Sequence, residues 1–531
     1  MTAHIDRFVL DNLPPPEQWP KLIFDLPQLR YSRVLNCATE LLDLNGRERA
    51  GITAIRAAEG DWSYGYLLAT VNRLCRVLTE DLGVVPGNRV LLRAANSPML
   101  IAAWLAVAKI GAVIVASMPM LRAKELGTLV DKAQIGLALC ESSLEEELEV
   151  VRADGSFLKR VVTWNGELES LMRKKPDSFD AVATSQDDPC LLAFTSGTTG
   201  RPKATVHFHR DILAIADTFS HHLLRPTPLD VFTGTPPLAF TFGLGGELAF
   251  PFRVGASTAI LGGGRPEQVI EGIERFGVTR LFTAPTAYRA MLSMLPRSSL
   301  GTLSTCVSAG EHLPKATFEA WQAATGLRIV DGIGATEMTH IFIAAAGEKI
   351  RPGSTGRVVP GYRACIMDED TKSVPPGTVG RLAVQGPTGC RYLADERQAH
   401  YAVDGWNLTG DAYVMDEEGY FWYRARTDDM IISAGYNIAG PEVEDALLKH
   451  QGVAECAVIG VPDEQRGQIV KAMVVLRGGY EAGPQMTATL QSFVKGSIAP
   501  YKYPRAIEYV IELPKTSSGK LQRFKLRSAG E

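Results

Sequence analysis

No two cysteines in this 531-residue chain are spaced as CxxC, and none of the eight (Cys37, Cys75, Cys140, Cys190, Cys306, Cys365, Cys390 and Cys456) clusters with histidines along the sequence. That scatter argues against a disulfide framework and against a zinc module. A strong charge of one sign is also missing. The formal net charge is -4, which gives no electrostatic reason to expect nucleic acid. No long hydrophobic run is free of charge or glycine. The most apolar stretch, Met99 to Met118, contains Lys109 and Gly111 and passes from Ala-Trp-Leu-Ala-Val-Ala-Lys to the β-branched Ala-Val-Ile-Val. It reads as a buried helix followed by a buried parallel strand rather than a membrane span. The opening Met1-Thr2-Ala3-His4-Ile5-Asp6 has no basic region followed by an apolar core, so a cytoplasmic protein without a secretory signal is expected. Internal repeats and low-complexity tracts are absent as well.

What is present is ordinary in bulk. A hydrophobic content of 46% and a charged content of 21% suit a soluble globular protein, and the length allows about three to four domain-sized units. Short apolar runs such as Arg89-Val90-Leu91-Leu92, Ala112-Val113-Ile114-Val115, Leu137-Ala138-Leu139 and Arg280-Leu281-Phe282-Thr283 alternate with longer helical segments. That alternation predicts βαβ units with parallel sheets covered by helices. From Ser354 to Trp422 the pieces shorten and turns such as Pro376-Gly377 and Glu418-Gly419 appear, which predicts a smaller antiparallel unit. After Asp429 the pattern is mixed again. A short helix is expected with Pro441 at its first position and Lys449, His450 and Gly452 closing it. Strands are expected at Ala457 to Gly460, Lys471 to Leu476 and Ala506 to Val510.

The densest local signal is Thr195-Ser196-Gly197-Thr198-Thr199-Gly200-Arg201-Pro202-Lys203, which follows the strand-like Leu191-Leu192-Ala193-Phe194. Glycines let backbone N–H groups approach an anion, hydroxyls add donors, and Lys203 adds charge, so the run suits a phosphate. It is not a P-loop, because Gly-Lys-Ser/Thr is missing and Ala204 to Phe208 reads as another strand rather than a helix. A flexible linker is the competing interpretation. Further dense runs lie at Asp331 to Glu337, Leu408-Thr409-Gly410-Asp411, Tyr423 to Asp429 with Ser433 to Ile438, and Pro514 to Lys520. Each alone could be a turn, a solvated charged surface or a frayed tail.

In their joint order and spacing, these runs resemble the adenylate-forming enzyme superfamily of acyl-CoA synthetases, adenylation domains and luciferases, from near Arg30 to Arg523. The resemblance implies an α/β fold. A large N-terminal domain over 1–427 would hold two parallel-sheet subdomains and a small β-barrel-like subdomain, followed by a small mobile α+β domain over 428–531 with its hinge at Asp428. It also implies a reaction in which a carboxylate and ATP give an acyl adenylate, from which a thiol displaces AMP. By that resemblance Thr195, Ser196, Gly197, Thr198, Thr199, Gly200 and Lys203 close over the β- and γ-phosphates, while Thr336 meets the α-phosphate and Glu337 holds Mg²⁺. Ala309, Gly310 and Glu311 would pass beside the adenine, with Asp331, Gly332 and Ile333 also in the nucleotide site. Asp411 would take the ribose hydroxyls, near Arg426 and Tyr423, and Lys520 would be the catalytic lysine bridging carboxylate and α-phosphate.

The acid pocket implied by the same resemblance is lined by Phe240, Thr241, Phe242, Gly243, Ala284, Ala309, Gly332, Ile333, Gly334, His340 and Ile341. Two phenylalanines with glycines at the closed end suit a flat aromatic acid. The pieces Phe240 to Gly245 and Gly334 to Phe342 look most like the benzoate-CoA ligase branch, and the whole chain looks especially like 2-aminobenzoate-CoA ligases. Benzoate enzymes carry a tyrosine where this chain has Phe242. The co-substrates implied are ATP with Mg²⁺, coenzyme A and a small aromatic carboxylate, with no nucleic-acid or membrane partner and a monomer or homodimer as the assembly. Alternatives are a short- or medium-chain acyl-CoA synthetase, an enzyme loading a carrier protein, a luciferase-like oxygenase and a nucleotide-dependent regulator.

Overall fold

The structure is a computed structural model that describes every residue except 196–201, 262, 296–299, 427–428, 434–435, 464–465, 499, 516–520 and 529–531. Two largely parallel sheets dominate the first three quarters of the chain. One has six strands in the order Arg160–Trp164, Leu137–Glu141, Arg89–Arg93, Val113–Ser117, Pro189–Thr195 and Lys203–Phe208. All pairs in it are parallel except the last, a hairpin at the sheet edge in which Thr195 faces Lys203. The strands expected at Leu191 to Phe194 and Ala204 to Phe208 are both present, the second at the sheet edge.

The second sheet has nine strands. Six parallel ones run in the order Ile329–Gly334, Thr305–Ser308, Arg280–Thr283, Val231–Gly234, Ser257–Ala259 and Thr53–Arg56. Antiparallel strands complete it at both ends. The expected antiparallel unit is a five-stranded sheet built on Arg363–Met367, Val379–Gln385, Trp406–Met415 and Phe421–Arg426, with the short Ala402–Val403 beside Trp406–Met415.

A fourth sheet, containing Val453–Asp463, Gly467–Leu476 and the parallel Ala506–Tyr509, belongs to the C-terminal unit. Helices Gly440–Leu448 and Pro484–Ser497 cover it, and Val443, Leu447, Val470, Val474, Leu490 and Val494 form a core separate from that of the large unit. Pro441 is the second helical residue rather than the first, because Ala439 is the cap and Gly440 opens the helix. No helix among the described residues is long and apolar enough to cross a membrane.

The apolar run with its internal lysine resolves into helix Pro98–Lys109 and strand Val113–Ser117. The Ser97 side chain accepts from the Leu100 N–H, Pro98 stands in the first turn, and the helix from Leu100 onward is buried all round. Lys109, 1% exposed, places its ammonium 2.8 and 2.9 Å from the two carboxylate oxygens of Asp43 and 2.8 Å from Asn72 Oδ1. A buried ammonium needs such partners, since its desolvation is repaid only by close opposite charge and hydrogen bonds. Asp43→Ala leaves that charge uncompensated and should cost about 3–5 kcal/mol. Calorimetric melting should show the loss, and adding Lys109→Met in the same chain should recover most of it; an unchanged melt in Asp43→Ala would show the pair to be idle.

Candidate active site

The residues singled out in the second sheet emerge from the carboxyl ends of neighbouring parallel strands, where open α/β sheets hold ligands. Thr283, Ser308 and Asp331 lie in register on adjacent strands. Ala284 caps the helix after the first of these strands, Ala309, Gly310 and Glu311 follow the second, and Gly332, Ile333 and Gly334 end the third. Phe240 precedes the short helix Thr241–Leu244, which carries Phe242 and Gly243 and runs into a π-helical turn at Gly245–Ala249. Such turns recur at functional sites.

This arrangement assembles an aromatic box. The His340 imidazole is packed by the rings of Phe250, Phe219 and Phe242 at 4.7, 5.5 and 5.6 Å. Among the described residues no hydrogen bond of ordinary geometry reaches either ring nitrogen; burial, opposed by the Phe242 backbone, pushes the pKa down to about 3, so the ring is neutral at physiological pH. A Cβ on Gly245 would come 2.4 Å from His340 Cδ2, so glycine is what permits this close approach. Ile341 is buried beside it and pairs with Gly334 across the strand.

On the polar side, Thr336 and Glu337 open a 3₁₀ turn, Thr336–Met338. Glu337 is buried, and its Oε1 accepts a 2.5 Å hydrogen bond from the Tyr392 hydroxyl. Lys203 Nζ donates to the same hydroxyl at 3.1 Å and lies 4.0 Å from Glu337 Oε1. Thr339, next in the chain, has φ +68°, and its Oγ1 shares a 3.0 Å hydrogen bond with His207 Nδ1. Thr388 Oγ1 donates to the Met338 carbonyl at 2.7 Å. Three consecutive residues, Glu337 and Met338 of the turn and Thr339 that follows it, are thus held from outside.

Asp411 and Arg426 face each other on paired strands, with Arg426 Nη1 donating to Asp411 Oδ1 at 3.2 Å and to the Thr409 carbonyl at 3.1 Å. Gly410, at φ +75°, makes room for the guanidinium: a Cβ there would sit 2.8 Å from Nη2. Tyr423 stacks on His312 at 5.4 Å, and His312 Nε2 lies 3.3 Å from Asp445 in the first helix of the C-terminal unit. Burial opposes charge on His312, yet the carboxylates of Asp445, Asp331 and Glu444 hold its pKa above the ordinary value. Arg523 donates to both carboxylate oxygens of Glu444 at 2.7 and 2.8 Å, close enough to Tyr423 to act on it electrostatically. The C-terminal unit therefore packs close to His312 and Tyr423.

Ser196, Gly197, Thr198, Thr199, Gly200, Asp428 and Lys520 lie outside the described residues. Lys515 and Leu521, which border the last of these segments, form a β-bridge. The sequence reading had no signal for Tyr392, Thr388, His207 or Asp445, which stand in no dense run. His312 could have been found, since it directly follows Glu311. Sequence spacing also hid one cluster: Cys37, Cys190 and His209 converge in the core, with Cys37 Sγ 3.2 Å from His209 Nδ1. That nitrogen already accepts from the Cys37 backbone N–H at 3.1 Å, so core hydrogen bonding accounts for it.

The fold and this cluster of buried aromatic and polar side chains at the strand ends are those of an α/β enzyme. Comparison with known proteins gives the family. The AMP-binding enzyme family matches residues 42–392, and the AMP-binding enzyme C-terminal domain matches 442–520. Benzoate–CoA ligase of Thauera aromatica is 35% identical over 515 residues, covering 95% of this chain and 98% of that protein. The structure of an anthranilate CoA ligase, AuaEII, in complex with anthranoyl-AMP superposes with a TM-score of 0.91 at 33% identity, over 95% of this chain and 99% of that one. A benzoate CoA ligase from Burkholderia xenovorans LB400 gives 0.85 at 31% identity, over 93% and 100%. The chain belongs to the AMP-binding enzyme family. It is an AMP-forming CoA ligase of the benzoate-CoA ligase branch.

Asp331 offers a test of the site's electrostatics. Its Oδ1 is enclosed without a partner, and burial pushes its pKa up to about 7, against the opposing influence of His312. An unfolded aspartate titrates at ~3.9, so the protonated form favours the fold. The stability it contributes is complete below that value and is lost as pH rises through about 7. Asp331→Asn should therefore stabilise the protein at about pH 8 and have little effect at about pH 4, read by thermal melts. An equal shift at both pH values would contradict the assignment.

Proposed function

We propose that this aryl-CoA ligase converts a benzoate, 2-aminobenzoate or benzoate itself, with ATP and CoA, into the aryl-CoA thioester, AMP and pyrophosphate. The observation that carries the aromatic assignment is the neutral His340 ring enclosed by Phe219, Phe242 and Phe250. Phe242, the half-buried ring of that cluster, offers an aromatic face to a flat apolar acid. The likeness to a ligase solved with anthranoyl-AMP, and phenylalanine rather than tyrosine at 242, favour the 2-amino acid.

The carboxylate oxygen attacks the α-phosphorus and pyrophosphate leaves; the CoA sulfur then attacks the acyl carbon and AMP leaves. An anion meets a polyanion in the first step, so its barrier is largely electrostatic. The loop from Thr195 to Lys203 holds the outer phosphates, Asp411 with Arg426 fixes the ribose, and Ala309 to Glu311 with Asp331 to Ile333 frame the adenine. Glu337, with Thr336 beside it, presents hard oxygen donors that fit Mg²⁺. That ion, when bound, would neutralise phosphate charge. Lys520 bridges the carboxylate and the α-phosphate. Residues 1–427 form the adenylation domain, 428–531 the mobile domain, and Asp428 the hinge. A cytoplasmic monomer or homodimer completes the reading.

A panel of benzoate, its 2-amino, 2-hydroxy, 4-hydroxy and halogenated derivatives, and hexanoate tests the assignment. An aromatic acid should exceed hexanoate in kcat/KM by at least about 10-fold. Preference for hexanoate would overturn it. Lys520→Ala should lower adenylate formation by about 10²–10³-fold and leave thioester formation from supplied aryl adenylate nearly intact; parallel loss of both half-reactions would remove Lys520 from its role.

A further inference from the structure

The Tyr392 hydroxyl is fully enclosed between two groups of opposite charge that the reaction uses. Its backbone is locked to the edge strand Lys203–Phe208: Val206 N donates to the Arg391 carbonyl at 2.8 Å, Leu393 N donates to the Ala204 carbonyl at 2.9 Å, and Thr205 bridges Tyr392. Its ring lies under the Lys203 ammonium at 5.0 Å and meets the Tyr401 ring edge-on at 5.8 Å. The residue is 0% exposed. Every degree of freedom of the side chain is therefore fixed before any substrate arrives.

The hydrogen-bond directions follow from donor chemistry. A lysine ammonium can only donate, so the 3.1 Å contact runs from Lys203 to the phenol oxygen. The one phenolic proton is then committed to Glu337 Oε1, at 2.5 Å. A hydrogen bond to a carboxylate from a donor that is itself polarised by a cation is charge-assisted and strong. It ties up Oε1, fixes the plane of the carboxylate, and leaves Oε2 as the oxygen through which a hard cation would be held.

We propose that Tyr392 is the positioning residue for the metal carboxylate: its hydroxyl orients Glu337 toward the cation that accompanies ATP, and couples that carboxylate to the phosphate-loop lysine. This rests on the assignment of Glu337 as the metal ligand. Outer partners that orient ligating carboxylates are worth about 10–100-fold in metal affinity. Removing the hydroxyl should therefore weaken the metal–nucleotide complex without touching adenosine recognition, since the ring, its stacking and the backbone pairing all survive in phenylalanine.

The test is Tyr392→Phe, with binding of Mn²⁺ and α,β-methylene-ATP followed by loss of the free Mn²⁺ resonance, and AMP binding followed by calorimetry without metal. Affinity for the Mn²⁺–nucleotide complex should fall by about 10-fold or more, and AMP affinity should stay within about 2-fold. In a Glu337→Gln background the further change Tyr392→Phe should have no effect on Mn²⁺–nucleotide binding, because no carboxylate remains to orient. Unaltered Mn²⁺–nucleotide binding by Tyr392→Phe overturns the proposal, as does a parallel loss of AMP affinity, which is the mark of a merely structural residue. A penalty that persists in Glu337→Gln also overturns it, by showing that Tyr392 acts through Lys203 alone. Wild-type Mn²⁺–nucleotide affinity in the Glu337→Gln single variant removes the metal role of Glu337 itself and the proposal with it.

Discussion

The site depends on one unfavourable piece of backbone. Thr339 sits at φ +68°, ψ −41°, a conformation that a β-branched residue adopts only when its surroundings impose it. The strain, on the order of 1–3 kcal/mol, is offset by hydrogen bonds that do not belong to the turn: His207 to Thr339, Thr388 to the Met338 carbonyl and Tyr392 to Glu337. His207 can do this because it stays neutral. Burial, with Arg391 nearby, pushes its pKa down to about 3. The consequence is directional. Within four residues the chain turns from Glu337, which lies near Lys203, to His340, which is packed among phenylalanine rings. Two chemically opposite environments are thereby set at a fixed separation.

The external supports come from different units, so the turn is correct only when those units are docked. His207 lies on the edge strand of the six-stranded sheet, whereas Thr388 and Tyr392 lie in the segment that follows Val379–Gln385 of the antiparallel sheet. A second clamp joins the two parallel sheets. Asn96 donates to the Pro236 carbonyl at 3.1 Å and to Glu247 Oε2 at 2.8 Å, while its own oxygen accepts from Leu238 N at 2.8 Å. That fixes the loop leading into Phe240 and Phe242. Glu247 is wholly buried, and burial raises its pKa well above the ordinary carboxylate value, opposed by the hydrogen bond from Asn96.

Local chemistry was legible in the sequence, and long-range chemistry was not. The run from Thr195 to Lys203 announces itself because glycine, hydroxyls and a lysine are contiguous. The strands around Arg89, Val113 and Arg280 announce themselves because a buried parallel strand is apolar throughout. The nearness of Asp411 to Arg426 came only with the family resemblance, and the structure sets them opposite each other on neighbouring strands. By contrast, Tyr392 is 189 residues from Lys203, His207 is 132 from Thr339, and His312 is 133 from Asp445. An isolated tyrosine or histidine carries no pattern, and its meaning arises only when the sheets are packed. Lys109 shows the same limit: it was visible as an interruption of an apolar run, but its partners Asp43 and Asn72 were not.

The distribution of charge bears on the role proposed for Lys520. Lys203 stands near Glu337 and is engaged by Tyr392, Arg426 faces Asp411, and Arg523 is held by Glu444. On the acid side, the polar group in the box is a neutral imidazole. Each of these cations already has an anionic neighbour, and their mutual neutralisation lets them sit close together in a half-dry site before substrate arrives. The same neutralisation means that they contribute little new positive potential when a carboxylate approaches a triphosphate. The proposed function therefore assigns the further cation to Lys520, a compact ammonium on a long stem, in the sequence of the unit that approaches the site through Asp445 and Arg523.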